Sequence, residues 1–351
     1  MTTYFGESGS DARYYLRPYT MSASTAAKAS ASTAAKASAP AVAPTSAPAV
    51  ASTSAQVSAR ASDEAIDITP ITSSQLLEGL EDQTRTFTSI SGLRSAINTL
   101  SNHLYQGTAT SQYLVFQSVT EDDFTEIEEK RFTINRGLRF TYCTDIDTLI
   151  IKVPTREHER VTRAFSYDFA YQIRDMGLTD LNDLCDMGAT TYTGRSTKKE
   201  ADSCWRPIAT RPNPLDWPTL VFEVGVLATL RKLRNDAQWW LANSQGRVKI
   251  VLLFKINRVA RTIHIEKWEC RPVTSTYALR SNRPPAQAPA QIQTVDIDAN
   301  GVVIGSPPAT TPPLVLHFQN ILLRQPVPPE QDMIYTAQDL QRVANGIWAA
   351  L

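Results

Sequence analysis

The chain has no apolar run of about 18 residues, so no segment of it reads as a membrane span. It has no net charge either: 35 Lys+Arg stand against 35 Asp+Glu. A global excess that would draw nucleic acid or an anionic surface is therefore excluded, and any basic surface must be local. Cysteine is scarce and scattered. Cys143, Cys185, Cys204 and Cys270 show no CxxC or Cys/His spacing, which fits reduced thiols in an intracellular protein better than a zinc site or a disulfide framework. His103, His158, His264 and His317 are equally isolated. The N-terminal MTTYFGESGSDARYY has no basic stretch leading into an apolar core, so no secretory signal is expected, and nothing separates nucleus from cytoplasm. GxxxxGK[ST], GxGxxG and GxSxG are all missing, which removes the glycine-loop phosphate cradle and the nucleophile elbow.

What is present changes sharply along the chain. Residues 1–65 are dominated by a low-complexity arm in which STAAKASA occurs twice, followed by PAVAPTSAPAV. Almost no large apolar side chain is available there to offset the entropy of ordering, and the arm is expected to be disordered. Residues 66–137 read as a helix-and-strand extension. Ile90, Leu93, Ile97, Leu100 and Leu104 keep helical spacing, QYLVFQSV (112–119) reads as a strand, and the acidic EDDFTEIEEK (121–130) reads as a solvated helix or loop rather than a metal site.

The stretch 138–279 carries the informative order. RFTYC (139–143) and TLIIKVP (148–154) suggest a hairpin. Thr155 can cap a helix over 156–176, on which Val161, Phe165, Phe169 and Ile173 share a face. Strands are expected at 187–194, 200–207 and 218–226, a helix at 230–244, and two more strands at 247–256 and 261–269. Residues 280–312, rich in Pro, Ala and Gln, are expected to loop, and 313–351 to add a strand and a helix capped by Thr336. The resulting class is α/β, with a mixed central sheet flanked by helices.

Within WPTLVFEVGV (217–226) a single carboxylate, Glu223, interrupts an otherwise apolar strand. Carboxylates are almost never buried without a partner. Asp202, in KKEADSCWRP, lies one strand earlier. Two carboxylates brought together repel one another, and a divalent cation with oxygen ligands offsets that repulsion and can stabilise charge on a phosphodiester. Each residue also has a plainer explanation. Glu223 could pair with Arg195 or Arg206 across a sheet, Asp202 could belong to a turn, and Glu159 suits the first turn of a helix. Lys232 and Asp236 have the spacing of a surface pair, His158 reads as a helix-surface residue, and Trp239 and Trp240 suit a core better than a base-stacking surface.

The order helix–three strands–helix–strand, with Asp202 and Glu223 on the second and third strands, resembles the PD-(D/E)XK nuclease superfamily and its restriction-endonuclease-like core. The central strand resembles that of a bacterial restriction-endonuclease-like branch. The run KEAD…WPTLVFE…LRxDAxWWL…VKIVLL…IEKW resembles a group of fungal proteins. The resemblance implies a nuclease, or a nuclease-derived protein, acting on nucleic acid. It implies Mg²⁺ or Mn²⁺ held by Asp202 and Glu223 with help from Glu159. The family lysine, two residues after the glutamate, is here Gly225. Lys232 and Arg234 on the next helix are the candidates to replace it at the scissile phosphate, with Lys249 and Lys255 behind them. The same departure is compatible with an inactive module that binds nucleic acid or protein on this fold.

Overall fold

The computed structural model describes residues 68–134, 137–179, 182–273, 286–305, 313–349 and 351; the repeat-bearing arm expected over 1–65 lies outside them. In chain order come α1 (Ser73–Leu77), β1 (Thr84–Thr86), α2 (Ile90–Gln106), β2 (Tyr113–Gln117), α3 (Glu121–Glu129) and α4 (Arg131–Ile134). The hairpin β3 (Arg139–Cys143) and β4 (Thr148–Lys152) leads into α5 (Arg156–Asp175). Then follow β5 (Leu184–Asp186), β6 (Thr191–Thr193), β7 (Thr197–Glu200), β8 (Ser203–Pro207), β9 (Leu220–Gly225) and α6 (Leu230–Asn243). The order closes with β10 (Ile250–Asn257), β11 (Thr262–Pro272), β12 (Gln287–Ile297), β13 (Val303–Gly305), β14 (Leu314–Leu316), α7 (Phe318–Leu322), β15 (Met333–Tyr335) and α8 (Ala337–Trp348).

These elements make two mixed sheets flanked by helices. The first has the order β1-β2-β4-β3-β7-β6 and the second β13-β12-β11-β10-β9-β8-β5; β14 and β15 pair separately. Each large sheet is antiparallel apart from one parallel pair, β1 with β2 and β9 with β10. Period-two alternation assigns the faces. On β4, Leu149 and Ile151 pack under α2 and α3, while Ile150 points the other way. On β9, Leu220, Phe222 and Val224 pack on α5, while Val221 joins Ile150, Trp239 and Trp240 in a second core. Glu223 and Lys152 share the parity of that second core.

Five expectations need correction. The strand expected over 200–207 is broken at Ala201–Asp202: β7 belongs to the first sheet and β8 to the second, so the chain changes sheet at Asp202. The strand expected over 187–194 shortens to β6 and joins the first sheet, leaving β5 as the edge neighbour of β8. The extension expected over 66–137 shares a continuous sheet with β3, β4 and β7, because β2 pairs with β4 along its full length. Finally, β12 occupies much of the loop expected over 280–312 and pairs with β11 despite Pro289. Proline is tolerated because, among the described residues, β13 pairs only with Val295–Ile297 on the far side and no strand there needs the missing Pro289 N–H. The strand expected within 313–351 joins neither large sheet: it forms β14, paired with β15, and is followed by α7 before the terminal helix.

The helix boundaries follow from capping. The Thr155 hydroxyl accepts the His158 N–H and starts α5, and Thr336 and Asp339 form a reciprocal capping box at α8. No disulfide joins the four cysteines, and among the described residues no helix is long and apolar enough to cross a membrane.

Candidate functional site

Asp202 sits where the chain passes between sheets, so its carboxylate lies in the seam. Its Oδ2 accepts the Val224 N–H at 2.7 Å, which ties the crossing to β9. Lys152, at the end of β4, places Nζ 2.5 Å from Asp202 Oδ2 and 3.6 Å from Glu223 Oε2. Both carboxylates therefore converge on one ammonium. Glu223 Oε1 accepts the Trp240 indole N–H at 2.7 Å and lies 3.1 Å from Lys199 Nζ. Lys199 also lies 3.0 Å from Asp236 Oδ1, which accepts from Lys232 Nζ at 2.7 Å. Asp202, Glu223, Asp236 and all three lysines are buried. The His158 ring, fully buried at the start of α5, brings Nε2 to 3.0 Å from Asp202 Oδ2 without the alignment of a hydrogen bond.

The two central carboxylates are driven in opposite directions. Burial pushes Glu223 up; Lys199 pulls it back, Asp202 pushes it further, and the net is upward. Burial acts likewise on Asp202, but His158, Lys152 and Arg139 outweigh it and hold that carboxyl well below the usual range. Asp236 is also lowered, its burial outweighed by Lys199 and Lys232. Burial lowers Lys232, and Asp236 offsets only part of that.

This donor set does not fit a divalent cation. Mg²⁺ takes about six oxygen ligands at close, near-octahedral distances. Here Asp202 Oδ2 and Glu223 Oε1 are already engaged, and Lys152 stands between the two carboxylates. Three ammonium groups face three carboxylates, so no negative charge is left to attract an ion. Asp202 Oδ1, which has no hydrogen bond, faces Arg139 Nε at 3.8 Å. The enclosed cavity among Lys152, Lys199, Glu223, Lys232 and Asp236 is about 10 Å³, room for one water and not for a hydrated metal. Among the described residues no group of three His, Cys, Asp or Glu is arranged to hold a metal.

An open cleft of about 690 Å³ lies on the other side of Arg139, which lines both spaces. Its walls include Tyr105 at the end of α2, Arg156, Glu159 and Arg163 on the first turns of α5, and Arg258 in the β10–β11 turn. Glu159 is half-exposed there, 3.4 Å from Arg139 Nη2 and 3.9 Å from Arg163 Nε. Its contact with His158 holds its carboxyl low against the opposing effect of burial.

Of the residues singled out in the sequence, Asp202 and Glu223 are brought together, and Glu159 stands beside Arg139 at the cleft. Lys232 joins the cluster one step away, through Asp236, as a buried pair rather than a surface one. Arg234 is directed elsewhere: it forms a two-pronged contact with Glu266, which also meets His264 and Trp268. Lys249 and Lys255 bond the Gly246 and Val226 carbonyls. Arg195 and Arg206 do not meet Glu223; Arg206 bonds the Asn213 carbonyl, and lysines take the place expected for an arginine. Trp239 and Trp240 are fully buried, so neither offers a face for stacking. His158 is buried rather than on the helix surface, because the capped first turn of α5 points into the seam. At Gly225, a Cβ would lie 2.8 Å from Ala228 Cβ and 3.0 Å from Leu233 Cδ1, so Ala228 and α6 occupy the space that a side chain at this position would need.

Sequence reasoning missed Lys152, Lys199 and Arg139. Lys152 had a signal: it ends an apolar strand, with the same parity as Ile150, and its neighbour Val153 is again apolar. Lys199 and Arg139 carried none, since each looks like an ordinary strand charge until the two sheets are stacked.

No family model and no curated protein matches the chain. Among solved structures, the chain is similar to one described as a "putative nuclease belonging to DUF820" from Anabaena variabilis. The match covers 58% of this chain and 90% of that one, at 10% identity and a TM-score of 0.32.

Proposed function

We propose that this chain is a nuclease-derived nucleic-acid-binding module in which the hydrolytic centre has been replaced by an ion-pair network. The observation that carries this reading is the Lys152 ammonium between Asp202 and Glu223. In a metal-dependent nuclease a divalent cation occupies such a position between paired carboxylates, and the phosphate must be able to reach it. Here the carboxylates are buried and their charge is already answered. The phosphodiester backbone would instead meet the open cleft, where the guanidinium groups of Arg139, Arg156, Arg163 and Arg258 outnumber Glu157 and Glu159. Planar guanidinium groups pair well with phosphate oxygens, and backbone contacts position a nucleic acid without reading its sequence.

The test is incubation of the full chain with labelled DNA and RNA, single-stranded and duplex, in Mg²⁺ or Mn²⁺. The expected result is binding that weakens as salt rises and no cleavage. Metal-dependent cleavage that disappears in Glu223→Ala would overturn this reading and establish the hydrolase on the same fold, with Asp202 and Glu223 holding the metal.

A further inference from the structure

The open cleft continues beyond its own walls. At Glu157 and Arg258 it meets a second hollow of about 370 Å³, lined also by Val259, Arg261 and Trp348. The Arg261 guanidinium lies 5.6 Å from the centre of the Trp348 ring, which holds it at the rim. Positive groups are thus spread along a channel rather than gathered at one point. Arg258 sits at the junction, reaching the Gly107 carbonyl at the end of α2 at 3.5 Å and Glu157 at 3.7 Å. On the same wall as Gly107, Tyr105 is 94% exposed. An aromatic ring left so fully in water contributes almost nothing to the core. At the mouth of a cationic channel it is a free π-face.

We infer that this channel binds a single strand of nucleic acid, its phosphates on the arginines and one base stacked on Tyr105. The inference rests on the proposed reading and narrows it to a substrate class. A flexible single strand can follow a concave cleft of this size and splay a base out; the stiff, paired rod of a duplex can do neither. Stacking on an aromatic ring is tolerant of base identity, because every base has a π-face, so binding should show little sequence preference.

The experiment uses fluorescence anisotropy on the full chain. The probes are a labelled short single-stranded oligonucleotide, its duplex, and inorganic polyphosphate as a competitor carrying charge without bases. The expected results are tighter binding of the single strand than of the duplex, and a loss of roughly ten-fold or more in single-strand affinity for Tyr105→Ala. Tyr105→Phe should keep the wild-type affinity, and Tyr105→Ala should leave competition by polyphosphate unchanged. Tyr105 is on the surface, so an unchanged thermal melt confirms that the variant is folded. Equal binding of duplex and single strand, with no effect of Tyr105→Ala, would overturn the single-strand inference and leave phosphodiester binding intact. Failure of every nucleic acid to bind would overturn both.

Discussion

The seam between the sheets and the cleft beside it hold similar side chains under opposite rules. In the seam three lysines and three carboxylates match one for one; in the cleft arginines outnumber carboxylates. The difference is water. Charges removed from water incur a large solvation penalty and persist only with partners, whereas exposed charges can be left in excess. Arg139 is the shared wall: it faces Asp202 on one side and Glu159 on the other. A carboxylate pair that looks catalytic in sequence is therefore only as reactive as its surroundings allow, and here the surroundings have closed around it.

The harshest way to break that contrast is to open the balanced side. Lys152→Ala leaves Asp202 and Glu223 facing one another with no ammonium between them, and should lose about 3–5 kcal/mol in urea melts. If Lys152 stands in for a cation, MnCl₂ should restore part of that loss in Lys152→Ala and leave the wild type unchanged. A variant that melts alike with and without Mn²⁺ would mean that Lys152 is only a structural pair and not a stand-in.

A smaller loss is expected from placing a lysine at position 225. Gly225→Lys drives a Cβ into Ala228 and Leu233, and overpacking of this kind costs about 1–3 kcal/mol. It should also bring no metal-dependent cleavage, since the new side chain begins beneath α6 and Lys152 still holds the carboxylates. Cleavage gained by Gly225→Lys would overturn the reading of the buried cluster as an inactive centre.

These substitutions also show how far the sequence could be read. Apolar periodicity located α2 and α5, and capping threonines placed the starts of α5 and α8, because those features are local. Glu223 was recognisable because a carboxylate within an apolar strand needs a reason, and Asp202 because the resembled pattern expects a second carboxylate one strand earlier. The lysines that answer them were not, because β4 and β7 meet β9 only through the stacking of two sheets, 71 and 24 residues away for Lys152 and Lys199 in the chain. Their partnership is a property of packing. The break of 200–207 at Asp202 was hidden for the same reason: nothing local says that a strand will change sheets.

The opposed shifts of Asp202 and Glu223 separate in pH. Asp202 has a lowered carboxyl in the folded state, so the unfolded chain binds its proton more readily. Its contribution is present above about pH 4 and is lost as pH falls towards its folded value. Glu223 is raised, so the folded chain binds its proton more readily, and its contribution is present below about pH 4 and fades as pH rises through its folded value. Asp202→Asn should therefore flatten the loss of stability on acidification below about pH 4. Glu223→Gln should steepen the rise of stability with pH just above it. Urea midpoints measured across this range, with identical slopes for the two variants, would contradict the assignment.

The mildest change belongs to the cleft. Arg258 is more than a third exposed, and its contacts with Gly107 and Glu157 lie at the surface, so Arg258→Ala should shift the urea midpoint by less than about 0.5 kcal/mol. Its effect should show in binding. If Arg258 meets one phosphate, removing it reduces the slope of log affinity against log salt by about 0.7–0.9, the counterion release of a single contact. The same substitution should leave the response of Lys152→Ala to Mn²⁺ unaltered, because Arg258 contacts Gly107 and Glu157 and, among the described residues, no member of the seam. A matching change in both readouts would mean that cleft and seam act as one site, with Arg139 coupling them rather than dividing them.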